Sequence, residues 1–153
     1  MFVAFACYQD FKVYQLVVKF SFLNGDLEEE VYMEQLEGFS LTDKEDYVCR
    51  LKKALYGLKQ APRARYSRLD KYLENQGFKR GGVDNNIYIK AHENELLIVL
   101  VYVDDIMFGS NRDELAKAFA EEMKLEFEMS MIGELSFYLG LQIQQNNIGT
   151  FIS

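Results

Sequence analysis

The feature that most constrains this chain is the run from Leu96 to Phe108, LLIVLVYVDDIMF, in which Asp104 and Asp105 interrupt two apolar stretches. Leu96 to Val103 is apolar throughout and reads as a strand covered on both faces. It is far short of the roughly 20 residues that span a bilayer. Ile106 to Phe108 resumes the pattern beyond the aspartates, so the chain is expected to turn back there as an antiparallel hairpin. Two like charges flanked by hydrophobic runs suffer both repulsion and desolvation, and a cation relieves that cost. Mg²⁺ is held through one or two carboxylates plus substrate phosphates, and a pair of such ions about 3.5 to 4 Å apart stabilises both oxygens of an in-line phosphoryl displacement. Aspartate is also a common turn residue, so these residues alone leave a metal site and a plain turn equally open.

The surrounding pattern is α+β. Tyr14, Leu16, Val18 and Phe20 alternate with Val13, Gln15, Val17 and Lys19, which predicts a strand over Lys12 to Phe20 with one apolar and one mixed face. Asn24-Gly25 predicts a turn, Asp26 to Glu30 a short helix with an acidic first turn, Val31 to Met33 an extended segment, and Gly38 to Asp46 a polar loop. Tyr66, Leu69, Leu73 and Gln76 have helical spacing, with Pro62 near the start and Gly77 at the end. Ile87 to Ile89 predicts a strand and His92 to Glu95 a turn. Ser110 with Asp113 reads as a capping box ahead of the stripe Leu115, Phe119, Met123 and Phe127. Phe137 to Gln142 and Thr150 to Ile152 read as strands. No repeat or linker divides the chain, and 153 residues suit one domain.

Charge is unevenly distributed. The net charge is −7, which by itself disfavours a nucleic-acid surface. Between Arg50 and Arg80, however, ten basic residues face only Asp70 and Glu74, a net of +8. That segregation fits a phosphate footprint, and equally the solvated face of a helix. Cys7 and Cys49, with a single histidine, supply neither a Cys/His zinc site nor a disulfide scaffold, so a reducing, intracellular setting is expected, with cytoplasm and nucleus not distinguished. Met1 to Cys7 lacks the pattern of a secretory signal.

Four blocks in order, KVYQLVVKFSFLNGDLEEEVYMEQLEGF from Lys12, VCRLKKALYGLKQAPR from Val48, LLIVLVYVDDIMFGSN from Leu96, and GELSFYLGLQI from Gly133, resemble the reverse transcriptase of copia-type long-terminal-repeat retrotransposons. The resemblance covers nearly the whole chain. It implies a right-hand polymerase palm, an antiparallel sheet backed by helices, in which template-directed nucleotidyl transfer uses two Mg²⁺ ions, an RNA or DNA primer-template and deoxynucleotides. By position, Asp104 and Asp105 resemble the catalytic, metal-holding carboxylates, with Asp104 the more direct ligand. Phe22 is similar to the steric gate beneath the incoming sugar. The block containing Gly57, Lys59 and Gln60 resembles the segment that covers the nascent base pair, and Gly140 the strand that grips the primer. Each has an ordinary alternative: Phe22 as core, Gly57 as a turn, Gly140 as a close-packed glycine.

Departures from the pattern carry as much weight. Where the family has its first catalytic aspartate, two residues after the glutamine, this chain has Val17. Leu36 stands where proline is usual and Arg65 where tryptophan is usual, and the three changes read as drift. Residues 1–153 are accordingly expected to be a partial palm with fingers start, thumb and ribonuclease H absent, and inactive. The alternative is a non-catalytic nucleic-acid-binding remnant using residues 50–80, or no function. An unrelated α+β interaction domain would have to match four ordered blocks by chance. By resemblance, Val17 should lie on a strand beside the hairpin, close to both carboxylates.

Overall fold

A computed structural model describes residues 2–19, 26–35, 47–53, 61–146 and 148–153. In chain order the elements are α1 (Phe2–Tyr8), β1 (Lys12–Val18), β2 (Asp26–Met33), β3 (Cys49–Lys53), α2 (Ala61–Asn75), β4 (Lys79–Arg80), β5 (Ile87–His92), β6 (Glu95–Tyr102), β7 (Asp105–Ser110), α3 (Asp113–Glu126), β8 (Met129–Glu134), β9 (Phe137–Tyr138), β10 (Leu141–Asn146) and β11 (Gly149–Ile152). The class is the expected mixture of helices with antiparallel sheet. Two compact units contain them: Met1–Lys19 with Tyr72–Ser153, and Phe20–Lys71.

The first unit is built on a six-stranded sheet in the order β4-β5-β6-β7-β1-β8. β7 and β8 both run antiparallel to β1, which lies between them, and α3 links the two. α3 rests on β7, β1 and β8. Its buried stripe of Ala116, Phe119, Ala120 and Met123, followed by Phe127, meets the sheet face formed by Tyr14, Leu16, Val18, Ile106 and Phe108. Phe119 sets its ring 5.1 Å from Phe108, and Phe108 stacks on Tyr14 at 5.8 Å. The alternation in β1 therefore produces the apolar face it predicts.

The opposite face carries Val13 and Met107 in a core with Phe2, Ala6, Ile98 and Ile143, so α1 and β10 cover this end of it. β6 is buried on consecutive residues, Leu97, Ile98 and Val99, as a strand packed on both faces must be. Gln145 ties β10 to β1. Its Nε2 donates to the Val13 and Leu135 carbonyls at 2.9 and 3.1 Å, while the Val13 N–H donates to its Oε1 at 2.8 Å. A single amide thus extends the β1 ladder where β8 has ended.

In the second unit β2 and β3 form a two-stranded antiparallel ladder, with Val31 opposite Leu51 and Tyr32 opposite Arg50. Asp26 to Glu30 is therefore strand rather than helix. β3 offers opposite charge to it, Glu30 lying 3.1 Å from Arg50, and cross-strand pairing outweighs an acidic first-turn signal. α2 starts in this unit with Pro62 in its first turn. Its last residues, Tyr72–Asn75, belong to the first unit, where Gly77 (φ 86°) ends it, its N–H donating to Glu74 O and that of Phe78 to Leu73 O.

Two further expectations are corrected. Ser110 closes β7 and its Oγ accepts the Arg112 N–H at 3.2 Å, while Arg112 precedes α3 without a side-chain cap. Asp113 instead accepts the Tyr14 hydroxyl at 2.8 Å, so no capping box forms. Phe137 to Gln142 is not one strand, because Leu139 (φ 51°) and Gly140 (φ 82°) form a two-residue turn between β9 and β10. Positive φ at both central residues matches the right-handed twist of the paired strands. The predicted turn at Asn24-Gly25 and loop from Gly38 to Asp46 lie outside the described residues.

Candidate functional site

β6 and β7 form the expected hairpin. Tyr102 pairs with Asp105, and Val103-Asp104 is its two-residue turn. Val103 has φ 49°, a conformation that costs a residue other than glycine of order 1–3 kcal/mol. Antiparallel pairing of Leu97 to Tyr102 with Asp105 to Ser110 holds it there. Asp104 and Asp105 are half-buried while Tyr102 and Val103 are exposed, so at the hairpin tip the carboxylate residues are more buried than the apolar ones.

β1 brings the predicted neighbour to this point. Val17 is the Cα partner of Asp105, and the Val18 N–H donates to the Asp104 carbonyl at 2.9 Å. Gln15, two residues earlier on the same face, donates from Nε2 to Asp105 Oδ1 at 2.8 Å. Tyr138 sets its ring edge-on to Tyr102 at 6.0 Å. Burial first, then the charges of Tyr102, Asp105 and Asp84, hold the Tyr138 phenol above its ordinary range. Sequence reasoning did not single out Gln15 or Tyr138. A glutamine on the mixed face of the predicted strand, two residues before Val17, was the signal available for the first, and the second is visible only once β9 folds back toward the hairpin.

The remaining candidates divide. Gly140 occupies the second position of the β9–β10 turn. Phe22, Gly57, Lys59 and Gln60 lie outside the described residues. In the basic segment, Arg50 is ion-paired with Glu30, Lys52 and Lys53 are exposed on β3, and Arg80 lies over the Tyr88 ring at 5.6 Å. A cleft of about 340 Å³ opens at the start of β1, lined by Cys7, Asp10, Lys12 and Asn146 among others, and so lies at the opposite end of that strand from the carboxylates.

Comparison with known proteins decides the family. Residues 1–153 match the family described as reverse transcriptase (RNA-dependent DNA polymerase). The chain belongs to the reverse transcriptase family. This reverse transcriptase chain is 42% identical over 135 residues to the retrovirus-related Pol polyprotein from transposon TNT 1-94 of Nicotiana tabacum, covering 88% of the chain and 10% of that protein. It is 40% identical over 139 residues to the Pol polyprotein from transposon RE2 of Arabidopsis thaliana, covering 91% and 10%. The putative transposon Ty5-1 protein of Saccharomyces cerevisiae is 30% identical over 129 residues, covering 84% of the chain and 42% of that protein. These are copia-type retrotransposon proteins. The chain spans about a tenth of the length of the plant relatives. No solved structure matches it.

Reverse transcriptases generally use divalent metal, and the fit can be judged from the donors. Asp104 and Asp105 are adjacent and half-buried, and the residue opposite Asp105 is Val17. Among the described residues no group of three or more His, Cys, Asp or Glu side chains is placed to hold an ion. Two carboxylates suit one Mg²⁺ that keeps much of its water, not a bridged pair of ions. Among the described residues no helix is long and apolar enough to cross a membrane.

Proposed function

We propose that this chain is the palm segment of a copia-type RNA-directed DNA polymerase in which nucleotidyl transfer has been silenced by Val17. What supports the reading is the pairing of Val17 with Asp105, an isopropyl group opposite a hairpin carboxylate at the position where, by resemblance, the family has its first catalytic aspartate. In the active family Mg²⁺ supplies Lewis-acid stabilisation of the transferring phosphoryl group. Here Asp104 and Asp105 would hold the ion, Gly140 would lie on the primer side, and Phe22, Gly57, Lys59 and Gln60 would serve nucleotide and template. Valine offers no lone pair to share between ions, so the electrostatic stabilisation of the transition state is largely lost. The test is primer extension with Mg²⁺, a primer-template and deoxynucleotides. The chain should give no product, and extension that Asp104→Asn abolishes would contradict the reading.

A second reading is favoured by the exposed Lys52 and Lys53 of β3. It makes the chain a non-catalytic nucleic-acid binder acting through residues 50–80, independent of the carboxylates.

A further inference from the structure

We propose that Gln15 is the positioning residue of the carboxylate pair, fixing Asp105 through Oδ1 so that Oδ2 is the oxygen offered to a divalent cation. The proposal rests on reading Asp104 and Asp105 as metal ligands. In the β1–β7 ladder Gln15 stands opposite Met107 and Val17 opposite Asp105, so Gln15 and Asp105 are diagonal neighbours on one face. Diagonal neighbours are bridged only by long side chains, and Gln15 Nε2 reaches Asp105 Oδ1 at 2.8 Å. The amide's orientation follows from chemistry, since an ionised carboxylate only accepts and must face the NH₂ group.

The surroundings hold the glutamine in place. Met107 is fully buried. On the other side Gln15 faces Gly133, at the register shift between β1 and β8, where no side chain competes for the amide. Two residues upstream, the Gln145 amide grips both main-chain polar groups of Val13. A half-buried carboxylate needs a donor. The valine opposite supplies none, and among the described residues Gln15 is the side chain that hydrogen-bonds Asp105. Partners of this kind orient a ligating oxygen, and their loss typically costs 10- to 100-fold in metal affinity.

The experiment uses the full chain, with Mn²⁺ alone as the probe. Nuclear magnetic resonance follows the Gln15 side-chain amide, assigned by its disappearance in Gln15→Met, and paramagnetic broadening gives the Mn²⁺ dissociation constant. The amide resonance should move in Asp105→Asn and not in Asp104→Asn, and Gln15→Met should weaken Mn²⁺ about tenfold. An amide indifferent to Asp105→Asn would overturn the proposal. So would a Gln15→Met protein binding Mn²⁺ as the parent does while Asp105→Asn binds it less well. Mn²⁺ binding that neither aspartate variant changes would contradict the metal-ligand reading, and the cation-directed role of Gln15 would fall with it. The amide shift would still decide whether Gln15 holds Asp105, and it needs only the aspartate variants if Gln15→Met does not fold.

Discussion

Val17 and Asp105 are directly paired across the β1–β7 ladder, an aliphatic side chain opposite a half-buried carboxylate at the tip of a two-residue hairpin. A carboxylate at position 17 would place like charges face to face, which destabilises an antiparallel pair by up to about 1 kcal/mol. Val17→Asp should therefore lower the melting temperature in chelator, and Mg²⁺ should restore it. The same variant should bind Mg²⁺ more tightly by roughly one to two orders of magnitude, because affinity follows the count of ligand charges. Calorimetric titration checks the affinity, and thermal melts with and without chelator check the repulsion.

Tyr14 and Asp113 give the fold a defined pH dependence. Burial, then the hydrogen bond to Asp113, raises the Tyr14 phenol above its ordinary range. Burial pushes the Asp113 carboxyl upward, but the Tyr14 hydroxyl, Lys117 and Lys12 together hold it below its usual value. The raised phenol contributes stability that is complete below pH of about 10 and falls as pH rises further; the depressed carboxyl contributes stability that is present above pH of about 4 and falls on acidification. Tyr14→Phe should cost about 1 kcal/mol at neutral pH and flatten both arms. Denaturant melts across the pH range measure it.

Gln145→Leu removes three hydrogen bonds to main-chain groups of Val13 and Leu135. The Val13 N–H then loses its acceptor in a half-buried place, at about 1–3 kcal/mol. Equilibrium unfolding should show the loss, and amide hydrogen exchange should quicken at Val13.

Nucleic-acid binding, if carried by the basic segment, should be indifferent to sequence and steeply salt-dependent. Contacts to phosphate release counterions, so the logarithm of affinity falls with that of salt by about 0.9 per phosphate neutralised on B-form DNA. Neutralising Lys52 and Lys53 together should reduce that slope by about 2. Fluorescence anisotropy at several salt concentrations reads it directly.

Much of the site was legible from local pattern. The apolar run before Asp104 reads as a strand covered on both faces, the aspartates between it and Ile106 to Phe108 mark the turn of a hairpin, and the alternation of Tyr14, Leu16 and Val18 specifies how β1 is oriented. The family pattern, not the periodicity, put Val17 beside the carboxylates. What the sequence concealed was long-range. Asp26 to Glu30 took its conformation from β3, a strand whose short polar run has no alternation to announce it. Leu139-Gly140 bends the chain because its neighbours pair, and Asp113 is taken by Tyr14 from an element about 100 residues away in the chain. Gln15 gained its meaning only when Asp105 arrived on the diagonal.

The measurement that bears most directly on the proposed silencing of nucleotidyl transfer is primer extension by this chain, run beside Asp104→Asn with Mg²⁺, a primer-template and deoxynucleotides. The expected result is no product from either protein, since valine at position 17 offers no oxygen to share between two ions. Template-dependent extension by the parent chain that disappears in Asp104→Asn would contradict the account and would mean that another carboxylate serves in place of the one missing at position 17.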